Sequence, residues 1–243
     1  MKTIGLIGGM SWESTVPYYR IINETVKDRL GGLHSAKIIL YSVDFHDIEQ
    51  RQHSGDWDGA GRLLAHAARS LQAAGAEVIV LCTNTMHKVA DAIEREVDIP
   101  LFHIADATAV EIRRQGLNKI GLLGTRFTME QEFYKGRLLD RFGIEPIIPE
   151  EAERAVIHGV IYDELCLGKV LDNSRDEYRR IMQDLVARGA QGIILGCTEI
   201  SMLVGAGDAS VPVFDTTEIH ARKAAEWALD ETSNAPGETR EPR

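Results

Sequence analysis

Cysteine is scarce in this chain: Cys82, Cys166 and Cys197 are the only three in 243 residues. An odd, widely spaced set argues against a disulfide framework and suits a reducing compartment. No CxxC pair and no close Cys/His cluster occurs, so a structural zinc site is not expected. No apolar run approaches the roughly 18 residues that suggest a membrane span. The opening MKTIGLIGGM breaks its short apolar run with glycines and lacks the h-region and cleavage site of a secretion signal. A cytoplasmic location without membrane association is therefore expected. Positive charge is also in deficit, with 27 Lys plus Arg against 37 Asp plus Glu and a formal net charge of -10. Nucleic acid is not expected as a partner, because phosphate binding relies on a cationic face and no basic run is present. A small anionic substrate needs only a few local donors and stays open.

What is present is an ordinary globular balance, 44% hydrophobic and 26% charged, enough to build a substantial core. Thr3 to Ile7 reads as a strand that runs into the tight turn Gly8-Gly9. Helical spacing follows from Glu13 to Leu30, stopped by Gly31-Gly32. Lys37–Val43 reads as a strand, Gly59–Ala74 as a helix and Val78–Cys82 as a buried strand. A further helix is expected after Thr83-Asn84-Thr85, then a brief strand at Pro100-Leu101-Phe102. Strands alternating with helices imply parallel sheets covered on both faces.

The pattern then restarts. Lys119-Ile120-Gly121-Leu122-Leu123-Gly124 repeats Thr3-Ile4-Gly5-Leu6-Ile7-Gly8 at an offset of 116 residues. Gly75-Ala76 through Leu81 matches Gly189-Ala190 through Leu195 at offset 114, and Ile99–Phe102 matches Val211–Phe214 at offset 112. Three matches in order point to internal duplication. The expected fold is α/β: two duplicated three-layer α/β/α domains with parallel sheets, related by a pseudo-twofold, with the active site in the interdomain cleft. Residues 1–104 plus 216–230 would form the first domain and 105–215 the second, with 231–243 a disordered tail.

Loops at the C-terminal ends of parallel strands line ligand sites in such folds. The duplication sets Thr83 opposite Cys197 and Asn84 opposite Thr198. Two side chains approaching one carbon from opposite faces are what inversion at that carbon requires. Cysteine suits the task because its thiol is an acid and its thiolate a base, and the strand–helix turn at Thr198-Glu199 is expected to lower its pKa. The plainer reading of Cys197 is a small buried core residue at a strand end. Cys82 and Cys166 read as core. Met10 and Ser11, in the turn after the first strand, and Thr125, in the matching turn, offer backbone N–H groups and hydroxyls for a carboxylate. His87, four residues after Thr83, is expected in the first turn of a helix, where it would poise a base or bind a carboxylate. Arg51 and Lys169 are candidate cations for a substrate carboxylate. His46, His103 and His220 lie near element ends, and Trp12 and Tyr18 read as packing, with a roof over the cleft as the alternative for Trp12. The glycines of Gly5-x-x-Gly8-Gly9 lack the spacing of a dinucleotide fingerprint.

Thr83-Asn84-Thr85-Met86-His87 and Gly196-Cys197-Thr198-Glu199, with Gly8-Gly9-Met10-Ser11 at the start, resemble the aspartate/glutamate racemase family across residues 1 to about 230. The resemblance implies cofactor-independent racemisation of an acidic amino acid, with neither pyridoxal phosphate nor a metal, in a homodimer. It matches Cys197 to the second-half catalytic cysteine, and Asn84, Thr85, Thr125 and Thr198 to positions that hold the substrate's carboxylate and ammonium groups. One departure stands out. The first-half cysteine should precede Asn84, where this chain has Thr83, as in a subgroup of aspartate/glutamate-specific racemases. A threonine hydroxyl is a poor base, so Thr83 would need help from His87 or water. Alternatives from other classes are a single-cysteine decarboxylase or isomerase of a small dicarboxylate, and a non-catalytic amino-acid-binding protein.

Overall fold

The computed structural model describes residues 1–230; the stretch read as a disordered tail, 231–243, lies outside the described residues. The chain folds into two compact units. Unit 1 comprises Met1–Cys82, Lys88–His103 and the chain from His220 onward; unit 2 comprises Thr83–His87 and Ile104–Ile219.

Unit 1 is built on β1 (Ile4–Gly8), β2 (Ile38–Ser42), β3 (Val78–Leu81) and β4 (Leu101–Phe102), with helices α1 (Trp12–Leu30), α2 (Phe45–Ser54), α3 (Trp57–Ala73) and α4 (Ala90–Glu94). Its four strands are all parallel, in the order β2-β1-β3-β4. Both central strands are wholly buried. Such strands carry near-continuous apolar runs, which is what Ile4–Ile7 and Val78–Leu81 show. One face, with Ile4, Leu6, Val78, Val80 and Cys82, packs on Tyr18, Ile22 and Val26 of α1 and on a small-residue face, Ala221, Ala224 and Ala225. On the other face α3 comes so close to β1 that a Cβ at Gly5 would stand 3.3 Å from the Leu71 Cβ.

Unit 2 repeats the plan. Its strands are β5 (Lys119–Gly124), β6 (Glu145–Ile147), β7 (Ile193–Gly196) and β8 (Val213–Asp215), parallel in the order β6-β5-β7-β8. Its helices are α5 (Ile104–Arg114), α6 (Arg126–Glu130), α7 (Glu132–Phe142), α8 (Glu151–Asp163) and α9 (Asp172–Ala187); α10 (Thr216–Leu229) begins here and runs on into unit 1. Alternation along the strands divides the core into two layers. Leu123, Ile193 and Leu195 face α8 and α9, while Ile120, Leu122, Ile194 and Phe214 face α5 and α7. The duplication extends to pairing register. Gly5 opposes Ile79 in unit 1, and their sequence counterparts Gly121 and Ile193 oppose each other in unit 2.

Several local expectations need correction. The stretch after β2, to which the sequence reading assigns no element, is helix α2, in which only Ile48 and Gln52 are buried. It is specified by its ends: Asp44 accepts from the His46 N–H, and Gly55 closes it in the left-handed conformation. Thr85–Val89 is a 3₁₀ turn leading into the five-residue α4, in place of one helix. Cys166 lies in a 3₁₀ turn after α8 and is half-buried, at the edge of the core that it was expected to enter. Trp12 is 65% exposed, so it does not pack, whereas Tyr18 is fully buried.

Tyr18 also meets a buried histidine. The Phe102 carbonyl only accepts, so His220 Nε2 donates to it at 2.7 Å, leaving Nδ1 to accept the Tyr18 hydroxyl at 2.9 Å. Burial pushes the imidazole pKa down to about 4. The unfolded chain binds this proton below about pH 6.5 and the folded one does not until about pH 4, so stability is full above 6.5 and falls between those values. A lowering of this size corresponds to about 3 kcal/mol. Urea midpoints at pH 7 and pH 4 should therefore fall by more in the wild type than in His220→Leu; equal falls would show that His220 does not titrate across this window.

Candidate active site

The residues singled out by sequence divide between the units. Met10, Ser11 and Arg51 belong to unit 1; Thr83, Asn84, Thr85, His87, Thr125, Lys169, Cys197, Thr198 and Glu199 belong to unit 2. In unit 1 the turn after β1 is shaped by Gly9, at φ +91°, where a Cβ would stand 2.2 Å from the Val43 carbonyl oxygen. The Gly9 N–H donates to Thr15 Oγ1, and the Ser11 hydroxyl caps α1 by accepting from the Ser14 N–H. Met10 is buried at 3% exposure. Arg51 lies on α2, paired at 2.6 Å with Asp56, the residue that caps α3. In unit 2 Lys169 is exposed and makes no ion pair among the described residues.

Cys197 comes directly after β7 and is 8% exposed. The preceding residue must be glycine, since a Cβ at Gly196 would stand 2.7 Å from the Leu123 carbonyl oxygen on β5. The thiol donates to Glu199 Oε2 at 3.0 Å, and the Thr198 hydroxyl donates to the same oxygen at 2.8 Å. Glu199 is itself buried, at 2% exposure. The thiol pKa is pushed well up, first by burial and then by the Glu199 charge. That reverses the expectation of a lowered pKa. The element on the C-terminal side of Cys197 is a three-residue 3₁₀ turn, Ile200–Met202. It offers no helix dipole to favour a thiolate, while a carboxylate two residues away opposes one. Cys82, in the core of unit 1, is also pushed up by burial.

The 83–87 segment contributes the second group of side chains. Asn84 Nδ2 donates to Thr216 Oγ1 at 3.0 Å, and Asn84 Oδ1 is buried with no hydrogen-bond partner among the described residues. Thr85 Oγ1 lies 2.9 Å from Thr125 Oγ1 and 3.5 Å from Thr128 Oγ1, a buried hydroxyl cluster at the start of α6. His87 is bonded to backbone through its ring. Its Nδ1 donates to the Thr83 carbonyl at 2.7 Å and its Nε2 accepts from the Ile104 N–H at 3.2 Å. Both ring nitrogens thus hold backbone, including that of Thr83, and neither is left for a substrate carboxylate or the Thr83 hydroxyl. Thr128 and Thr216 were not singled out by sequence. Thr128 had a local signal, three residues after a capping threonine; the bond that involves Thr216 spans 132 residues.

Among the described residues no group of three or more His, Cys, Asp or Glu is arranged to hold a metal. No helix among them is long and apolar enough to cross a membrane. A groove of about 610 Å³ in unit 1, lined by Trp57, Arg62, Lys88 and Arg95 among others, contains none of the candidate residues.

The model of the Asp/Glu/Hydantoin racemase family matches residues 7–224. A crystal structure of a candidate Asp/Glu racemase from Yersinia pestis is 66% identical with a TM-score of 0.89, covering 95% of this chain and 100% of that one. An aspartate racemase homologue from Pyrococcus horikoshii OT3 is 39% identical with a TM-score of 0.81, at the same coverage. The broad specificity amino-acid racemase RacX of Bacillus subtilis is 23% identical over 93% of this chain and 98% of its own length. The two four-stranded parallel sheets, the cysteine at the end of β7 and these likenesses agree: the chain is an amino-acid racemase of the Asp/Glu/Hydantoin racemase family.

Proposed function

We propose that the protein racemises L-aspartate, L-glutamate or both by removing the α-proton and returning one to the opposite face, between Cys197 and the Thr83 side. The observation that carries this reading is the buried bond from the Cys197 thiol to Glu199. A thiol with a carboxylate acceptor at 3.0 Å has a place to send its proton. In the free protein, burial, and then the Glu199 charge, hold Cys197 as the thiol. A substrate ammonium group beside Cα supplies the positive charge that makes a thiolate tolerable there. Glu199 then takes the thiol proton, the thiolate takes the α-proton, and the electron pair passes into the α-carboxylate.

Return of a proton on the other face falls to the Thr83 hydroxyl, recharged by water, because both His87 nitrogens hold backbone. His87 acts as a positioning residue for Thr83. The substrate ammonium would donate to Asn84 Oδ1, which has no partner of its own. The hydroxyls of Thr85 and Thr125 suit the α-carboxylate, and Thr198 keeps Glu199 oriented. The turn carrying Met10 and Ser11, together with Arg51 and Lys169, remains our proposal for the remaining contacts. Neither pyridoxal phosphate nor a metal enters this scheme. A cytoplasmic homodimer fits the free cysteines and the family resemblance.

Proton NMR in deuterium oxide with both enantiomers of aspartate and glutamate tests the reading. The wild type should lose the α-proton signal and form the opposite enantiomer. Cys197→Ser should lower α-proton exchange by about 10²-fold or more. Thr83→Ala should impair one direction more than the other. Full exchange without Cys197 would contradict the assignment, and release of carbon dioxide would indicate a decarboxylase.

A further inference from the structure

Thr216 offers a residue-level inference. Its hydroxyl is fully buried at the start of α10 and lies between two partners. It donates to the Leu195 carbonyl at 2.8 Å and meets Asn84 Nδ2 at 3.0 Å. A hydroxyl has one proton, and a backbone carbonyl can only accept. The Thr216 proton is therefore committed to Leu195, and its oxygen can serve Asn84 only as an acceptor. That fixes the amide: the NH₂ faces Thr216, and Oδ1 points away. The reversed amide would set two acceptors, Oδ1 and the Leu195 carbonyl, against one proton. One of the two bonds would be lost.

We infer that Thr216 is a positioning residue that sets the rotamer of Asn84 so that its Oδ1 accepts, and that the site thereby selects an ammonium-bearing ligand. Asn84 Oδ1 is buried without a partner. Leaving such a group unbonded costs about 1–3 kcal/mol, which a donor from the ligand recovers. A carboxylate cannot supply that donor, and an ammonium group can. Leu195 is on β7, two residues before Cys197, so the orientation of Asn84 is referenced to the strand that carries the thiol. The inference rests on the racemase reading above and adds which residue decides that Asn84 recognises the amino group.

The test compares Thr216→Val, which keeps the shape and removes the hydroxyl, with Thr216→Ser, which keeps the hydroxyl. KM for the amino acid should rise about tenfold in Thr216→Val, the factor expected for one lost hydrogen bond of about 1.4 kcal/mol. Thr216→Ser should restore it, and kcat should change less than KM in both. In an Asn84→Ala background, Thr216→Val should add little further, since both changes remove one linked interaction. Thermal unfolding shows whether each variant is folded, and calorimetric binding of the amino acid reads affinity without turnover. A folded Thr216→Val with wild-type KM and affinity, or effects that add fully with Asn84→Ala, overturns the inference alone. A wild type that neither binds nor converts any of the four enantiomers overturns it together with the racemase reading.

Discussion

A thiol and a carboxylate buried 3.0 Å apart cannot both carry charge. Much of the site depends on that constraint. Burial and the Glu199 charge hold Cys197 as a thiol, and its hydrogen bond runs to Glu199. The Thr198 hydroxyl bonds the same carboxylate oxygen and limits its rotation. Close approach of β5 and β7 at Gly196 brings the thiol to the end of a rigid strand, where its position is set by sheet register. A group that must move a proton over a short distance benefits from such a support.

The 83–87 segment is held in a comparable way, by hydrogen bonds whose direction is forced. The Thr83 and Leu195 carbonyls can only accept, so His87 and Thr216 must donate to them. Each fixed proton then leaves a fixed acceptor: His87 Nε2 for the Ile104 N–H, and Thr216 Oγ1 for the Asn84 amide. The result leaves the Asn84 Oδ1 carbonyl oxygen without a partner among the described residues. The Thr85, Thr125 and Thr128 hydroxyls, which can donate or accept, form a buried cluster of adaptable polarity at the start of α6.

Much of the fold was legible because its signals are local and repeated. The apolar runs at Ile4–Ile7 and Val78–Leu81 and their counterparts in unit 2 gave both parallel sheets and the duplication. Helix α2 escaped because its information lies in its caps, Asp44 and Gly55, and not in an apolar stripe. The strand-end position of Cys197 was legible, but the sign of its pKa shift was not. That sign depends first on how deeply the sulfur is buried, and then on the rotamer that brings Glu199 back to it and on a 3₁₀ turn where a helix was expected. His87 carried a family motif, yet its partners include the backbone of Ile104, 17 residues on. Thr216 had no signal at all, because it acts through a partner 132 residues away.

Burial, with the Glu199 charge adding to it, keeps Cys197 protonated, and the pH dependence of alkylation at Cys197 measures both contributions. Modification of the Cys197 peptide, followed by mass spectrometry, gives the thiol pKa in the wild type and in Glu199→Gln. The wild-type pKa should lie above 9.0, the ordinary thiol value, and should be lower in Glu199→Gln, where the opposing charge is gone. A thiolate already formed at neutral pH in the wild type, or a pKa that rises when Glu199 is neutralised, would contradict this.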